Sequence, residues 1–172
     1  MGGSIAVESE PGRGSRFLVT LPFDPVDPGP ASPSSGLDAP IVSGAGLTVL
    51  LAEDNRVNQL IFQKMLLRLG YRVLIANHGA EALQTLRDQT VHLVLMDCQM
   101  PELDGFQTTR AIRSWGGPFA GLPIIALTAS ALAEDRQNCL DAGMNDFLSK
   151  PLMLSALLAT LARWSPQPHP QP

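Results

Sequence analysis

Cysteine, positive charge and long apolar runs are all scarce in this chain. Among 172 residues there are two cysteines, Cys98 and Cys139. They lack Cys-x-x-Cys spacing and a neighbouring histidine pair, so a zinc site is excluded and both read as intracellular thiols outside any disulfide. Twelve Lys and Arg face sixteen Asp and Glu, a formal charge of −4. Residues 1–46 hold two Arg against five acids, and residues 47–172 hold ten basic against eleven acidic residues. Neither part is basic, which argues against a nucleic-acid partner. No apolar run approaches the roughly 18 residues of a membrane helix, and no signal peptide opens the chain. A cytoplasmic location without membrane contact is expected, whatever anchors a longer parent. What remains, 45% hydrophobic and 16% charged residues, suits a globular protein with one substantial core.

Residues 4–8 and 16–21 alternate apolar and polar around Pro11-Gly12-Arg13-Gly14-Ser15, a hairpin signal. Ile5, Val7, Phe17, Val19 and Leu21 share one apolar face that two strands cannot bury by themselves. Gly12-x-Gly14-Ser15-x-Phe17 followed by Leu21-Pro22-Phe23 resembles the last strands of the ATP-binding domain of sensor histidine kinases. Residues 1–23 are therefore read as a remnant of that domain, without the parts that hold nucleotide. Residues 24–46 carry Pro25, Pro28, Pro30, Pro33 and Pro40 among Gly, Ser, Ala and Asp and read as a linker. Residues 165–172, Ser-Pro-Gln-Pro-His-Pro-Gln-Pro, read as a disordered tail.

Between them, residues 47–164 alternate strands and helices. Strands are expected at 48–52, 72–76, 93–97, 124–127 and 146–149. Val57, Ile61, Met65 and Leu69 recur on a first helix closed by Gly70. Further helices are expected at 80–88, 105–114, 134–142 (closed by Gly143) and 154–164, the last with a core stripe of Leu154, Leu157, Leu158 and Leu161. This pattern predicts an α/β fold, a five-stranded parallel doubly wound sheet of flavodoxin-like order 2-1-3-4-5. Ligands bind such sheets where the strand order reverses, at the carboxyl ends of the first and third strands. There the sequence places Glu53-Asp54 and Asp97.

Two like charges 4 Å apart cost about 4 kcal/mol at an effective dielectric of 20, so three converging carboxylates call for a cation. A few carboxylates with open positions suit magnesium. The fourth strand ends in Ala126-Leu127-Thr128-Ala129 and the fifth in Leu148-Ser149-Lys150-Pro151, which brings a hydroxyl and an ammonium to the same edge. Together these groups can stabilise charge on a transferring phosphoryl group.

Glu53-Asp54-Asn55-x-x-Asn58, Met96-Asp97-x-x-Met100-Pro101-x-x-Asp104-Gly105, Ala126-Leu127-Thr128-Ala129 and Asn145-Asp146-Phe147-Leu148-Ser149-Lys150-Pro151 occur in an order similar to that of receiver domains fused to hybrid histidine kinases. The resemblance implies that Asp97 takes a phosphoryl group from a phosphohistidine of a histidine kinase or a histidine-phosphotransfer protein. It implies Mg2+ (or Mn2+) held by Asp54, Asp97 and the backbone carbonyl of Gln99, with Glu53 acting through water. Lys150 and Thr128 are implied to assist, Thr128 and Phe147 to switch the surface of the fourth helix, fifth strand and fifth helix, and Asn55 and Gln99 to tune hydrolysis. A cis peptide before Pro151 is implied as well. Such a fragment would catalyse only its own phosphorylation and dephosphorylation.

Two alternatives stand beside this reading. A haloacid-dehalogenase-type phosphatase would need an acid two residues after the nucleophile, where Gln99 stands. A receiver that switches by protein contact alone would have no need of the complete acid, lysine and threonine set. His78 and His92, at a loop start and a strand start, are read as structural or solvent-facing.

Overall fold

The computed structural model describes residues 3–10, 12, 14–22, 44, 46–129 and 133–165, the side chains of 133–135 excepted. The tail after Ser165, Phe23 and nearly all of the expected linker lie outside the described residues. The chain divides into two compact units, Met1–Ala39 and Pro40–Pro172.

In the first unit, β1 (Ser4–Glu10) and β2 (Gly14–Thr20) pair antiparallel, with Ile5 opposite Val19 and Val7 opposite Phe17. These four side chains occupy one face and all are exposed, from Val7 at 57% to Ile5 at 73%. A hairpin forms as expected, but β1 runs two residues further than the expected 4–8 and β2 begins two residues earlier and ends one residue earlier than the expected 16–21; every residue of both strands is exposed.

In the second unit, β3 (Thr48–Ala52), β4 (Arg72–Ala76), β5 (Leu93–Asp97), β6 (Ile124–Thr128) and β7 (Asp146–Ser149) form one parallel sheet in the order β4-β3-β5-β6-β7. Every residue of β3, β5 and β6 is buried, because helices cover both faces. Alternate side chains feed two cores. Val49, Leu51, Leu93, Leu95, Ile125 and Leu127 pack with Phe62, Leu66, Leu157 and Leu161, from α1 (Arg56–Arg68) and α5 (Leu154–Trp164). Leu50, Ala52, Val94, Met96, Ile124 and Ala126 pack with Ala82 and Leu86 of α2 (Gly79–Asp88), Ile112 of α3 (Gly105–Ser114) and Cys139 of α4 (Ala133–Asp141). The order and the parallel sense are those expected. Boundaries differ by a residue at β6, α2 and α4, and Gly44, ahead of the expected start at Leu47, already contacts this unit, its carbonyl accepting from Leu47 N–H at 2.9 Å and its N–H donating to the Leu69 carbonyl at 3.2 Å.

Helix α1 corrects one reading. Its buried residues are Gln59, Phe62 and Leu66, whereas Val57 is 65% and Ile61 44% exposed. A row spaced by four residues advances about 40° around the helix at each step, so Val57-Ile61-Met65-Leu69 spirals from solvent into the core. Only its last member, Leu69, is fully buried. Gly70 and Gly143 take the left-handed conformations that end their helices, at φ 83° and 94°.

Candidate functional site

The sheet register brings four strand ends to one level. Ala52 pairs with Ala76 and Met96, so Glu53, the next residue, stands beside Asp97, and Asp97 pairs with Leu127. Thr128 pairs with Ser149, which sets Lys150 one step beyond. The Lys150 N–H donates to the Thr128 carbonyl at 2.7 Å, and the Lys150–Pro151 peptide is cis. Glu53, Asp97 and Thr128 are buried, while Asp54 is exposed.

Lys150 Nζ lies 2.7 Å from Asp97 Oδ2 and 2.7 Å from Glu53 Oε2. Toward Asp97 it donates a hydrogen bond; toward Glu53 Oε2 the contact is an ion pair without directed hydrogen-bond geometry. Asp97 Oδ1 accepts from the Gln99 N–H at 3.1 Å. Burial raises the Asp97 carboxyl above the ordinary carboxylate range, beyond what Lys150 and the Gln99 N–H pull back, and Glu53 adds to the rise. Burial works against the Lys150 ammonium, but the two carboxylates outweigh it and its pKa is raised. One cation thus serves two buried acids, and Asp54 adds a third carboxylate. Oxygens of Glu53, Asp54 and Asp97 lie within 4.8 Å of one another. A surplus of hard oxygen donors around one ammonium fits a divalent cation of the magnesium class.

The loop after Asp97 is fitted closely to it. A Cβ on Gly105 would sit 2.2 Å from the Asp97 carbonyl oxygen, so only glycine lets α3 start here. Asp104 caps that start, accepting from Gln107 N–H at 2.7 Å while Gln107 Oε1 accepts from Asp104 N–H at 3.2 Å.

Of the other residues singled out in the sequence, Asn55 caps α1, its Oδ1 accepting from Val57 N–H at 2.9 Å and Asn58 N–H at 3.3 Å. Gln99 presents an exposed side chain beside Asp97. Phe147 is half-buried against the α2-α3-α4 side of the sheet, with the Arg136 guanidinium 5.3 Å from its ring centre. His78 Nδ1 accepts from Glu81 N–H and His92 Nδ1 from Thr48 N–H, both structural roles. Cys98 and Cys139 are buried thiols with sulfurs 3.9 Å apart, and burial raises the Cys98 pKa far above the thiol range.

Sequence reasoning missed the amide network behind Glu53. Asn58 Nδ2 donates to Glu53 Oε1 at 2.9 Å, and Gln59 Nε2 reaches the Glu53 carbonyl at 2.6 Å and Asn77 Oδ1 at 2.9 Å. The available signal was Gln59 itself, a polar residue in phase with Phe62 and Leu66. A cavity of about 400 Å3, lined by residues including Leu86, Val91, Phe119 and Leu122, opens at the opposite edge of the sheet, and no acid of the cluster lines it.

Residues 49–162 match the response regulator receiver domain. The sensor protein EvgS of Escherichia coli (strain K12) is 36% identical over 172 residues, which is all of this chain and 14% of that protein. The receiver domain of sensor histidine kinase PA1611 from Pseudomonas aeruginosa PAO1, crystallised with magnesium coordinated in its active-site cleft, is 48% identical with a TM-score of 0.65, over 70% of this chain and 98% of that one. A chain in the co-crystal structure of the Saccharomyces cerevisiae histidine phosphotransfer protein Ypd1 with the Ssk1 receiver domain is 32% identical with a TM-score of 0.65, over 69% of this chain and 88% of that one. Among the described residues no helix is long and apolar enough to cross a membrane. The matched segment, its sheet order and the acid-lysine edge agree, and the chain belongs to the response regulator receiver domain family.

Proposed function

We propose that Asp97 is the phosphoacceptor of a phosphorelay, taking a phosphoryl group from a phosphohistidine on a histidine kinase or a histidine-phosphotransfer protein. The observation that carries this reading is the single ammonium of Lys150 between two buried carboxylates at adjacent strand ends. An Asp97 oxygen attacks phosphorus as the bond from phosphorus to the imidazole nitrogen breaks, and the bonding pair stays on the ring. Lys150 and the Thr128 hydroxyl donate to phosphoryl oxygens, so negative charge gathers where donors already stand. Asp54, Asp97 and the Gln99 carbonyl would hold magnesium, with Glu53 acting through water, and the metal would supply charge neutralisation on the phosphoryl oxygens. Asn55 and Gln99 flank the acceptor and set access of hydrolytic water.

Thr128 and Phe147 report the transfer: the hydroxyl moves toward the new phosphoryl group, the ring turns inward, and the surface of α4, β7 and α5 changes. The PA1611 and Ypd1–Ssk1 structures support the metal and the partner class by likeness. Exposed Val57, Leu60 and Ile61 on α1, which starts beside Asp54, add an apolar surface suited to a protein donor. Residues 1–23 are the last strands of a kinase ATP-binding domain, 24–46 a linker, 47–164 the receiver and 165–172 a tail, all at the cytoplasmic end of a hybrid sensor kinase. The exposed apolar face of β1 and β2 supports that division. A radiolabelled phosphohistidine donor with magnesium is expected to label the wild-type chain and not Asp97→Asn; equal labelling of both would remove Asp97 from the mechanism.

A further inference from the structure

Glu53 occupies an unusual setting for a carboxylate. It is 0% exposed, and its two oxygens are treated differently. Oε2 faces the Lys150 ammonium shared with Asp97. Oε1 faces away from that cluster toward α1, where it accepts from Asn58 Nδ2 at 2.9 Å and more distantly from Asn55 N–H at 3.3 Å. The residue after Asn58 holds the other end of Glu53. Gln59 Nε2 donates to the Glu53 carbonyl at 2.6 Å, and Gln59 Oε1 accepts from Arg56 at 3.1 Å. Asn77, the second acceptor of Gln59 Nε2, is held in turn by Glu81 Oε2 through its N–H at 2.7 Å and its side-chain amide at 2.8 Å. Phe62 and Leu66 anchor α1 to the sheet, so these amides project from a fixed element.

We propose that Asn58 is a positioning residue: its carboxamide holds Glu53 Oε1 so that Oε2 is presented to the Lys150–Asp97 cluster where a divalent cation binds. The claim rests on the magnesium reading given above. Asn58 touches neither the acceptor nor the proposed metal ligands Asp54, Asp97 and Gln99; it acts through Glu53. Without it, Oε1 keeps only the 3.3 Å contact with the Asn55 N–H, and a buried carboxylate short of donors turns toward the remaining cation, Lys150. Groups that orient the ligands around a metal in this way are worth roughly 10- to 100-fold in metal affinity.

The test is magnesium binding to the full chain by titration calorimetry, at a temperature where melting curves show each variant folded. Asn58→Ala is expected to raise the magnesium Kd about 10-fold. Asn58→Ser, whose side chain is too short to span the bond, is expected to do the same and stands in if the alanine variant does not fold. In a Glu53→Ala background, Asn58→Ala should change Kd by no more than about twofold, because the group it acts through is gone. A lowered melting temperature with wild-type Kd would make Asn58 merely structural and overturn the proposal, as would equal losses in both backgrounds. If the wild-type chain itself binds no magnesium, the metal reading fails and the positioning claim falls with it. If the wild type binds and the Asn58 variants bind as well, only the positioning claim falls.

Discussion

Strands β2 and β5 are both rich in apolar residues, yet every residue of β2 is exposed and every residue of β5 is buried. Val19 is 60% exposed and Leu95 0%. Apolar side chains are exposed in one and buried in the other, so the surrounding layers decide. Among the described residues β2 pairs only with β1, whereas β5 lies between β3 and β6 with a core on each face. Two strands without a covering layer cannot bury a face. The consequence for chemistry lies at the strand ends. Asp97 closes β5 inside a packed frame that fixes it beside Lys150 and Glu53, whereas β2 ends in Thr20 with its residues exposed. A reactive carboxylate needs a scaffold whose own side chains are locked by packing.

Breaking the frame at its charged end has the largest expected effect. Lys150→Ala should slow phosphorylation by acetyl phosphate and magnesium about 100-fold while the far-ultraviolet circular dichroism stays native. A folded variant that phosphorylates at the normal rate would contradict the role of Lys150. Next comes the packing itself: Leu51→Ala, in a fully buried position of β3, should lower unfolding free energy in urea by about 2–5 kcal/mol. Val19→Ala, on the exposed face of β2, should move the same transition by less than about 0.5 kcal/mol. Similar losses at the two sites would erase the contrast between the units.

A smaller effect follows from the raised Asp97 pKa. A carboxyl whose folded pKa lies above its unfolded value stabilises the fold while protonated, and that contribution is lost as pH rises through the folded value. Without magnesium, Asp97→Asn should therefore be more stable than wild type at pH 7, with the difference closing as pH falls below the ordinary carboxylate range. A difference that instead widens toward acid pH would mean that ionised Asp97 is favourable in the fold. The smallest effect is expected in the hairpin, where Phe17→Ala should leave the phosphorylation rate unchanged; a slower rate would show that the exposed face of the hairpin takes part.

Much of this frame is legible in the residues. The five strands stand out because short apolar runs end abruptly in Asp54, Asp97, Thr128 and Lys150 or in turn residues; the helix between each pair of strands makes the sheet parallel, and right-handed crossovers with the small size of the domain favour its order. The acid cluster follows from that order. The face of α1 was harder to read, because apolar Val57, Leu60 and Ile61 are exposed while Gln59 is buried. Hydrophobic spacing points outward there, and the buried amide belongs to a network reaching across to Asn77 that no local pattern encodes. The unequal treatment of the two Glu53 oxygens is likewise a product of tertiary contacts: one neighbour is five residues away, and Lys150 comes from the far side of the sheet.

The central claim is that the frame exists to make Asp97 a phosphoacceptor. Phosphorylating the wild-type chain with a small phosphodonor and magnesium, reducing the acyl phosphate with borohydride and sequencing the peptides by mass spectrometry tests it most directly. The expected result is homoserine at position 97 and at no other acid. Unmodified Asp97, or modification at Glu53 or Asp54 instead, would contradict it.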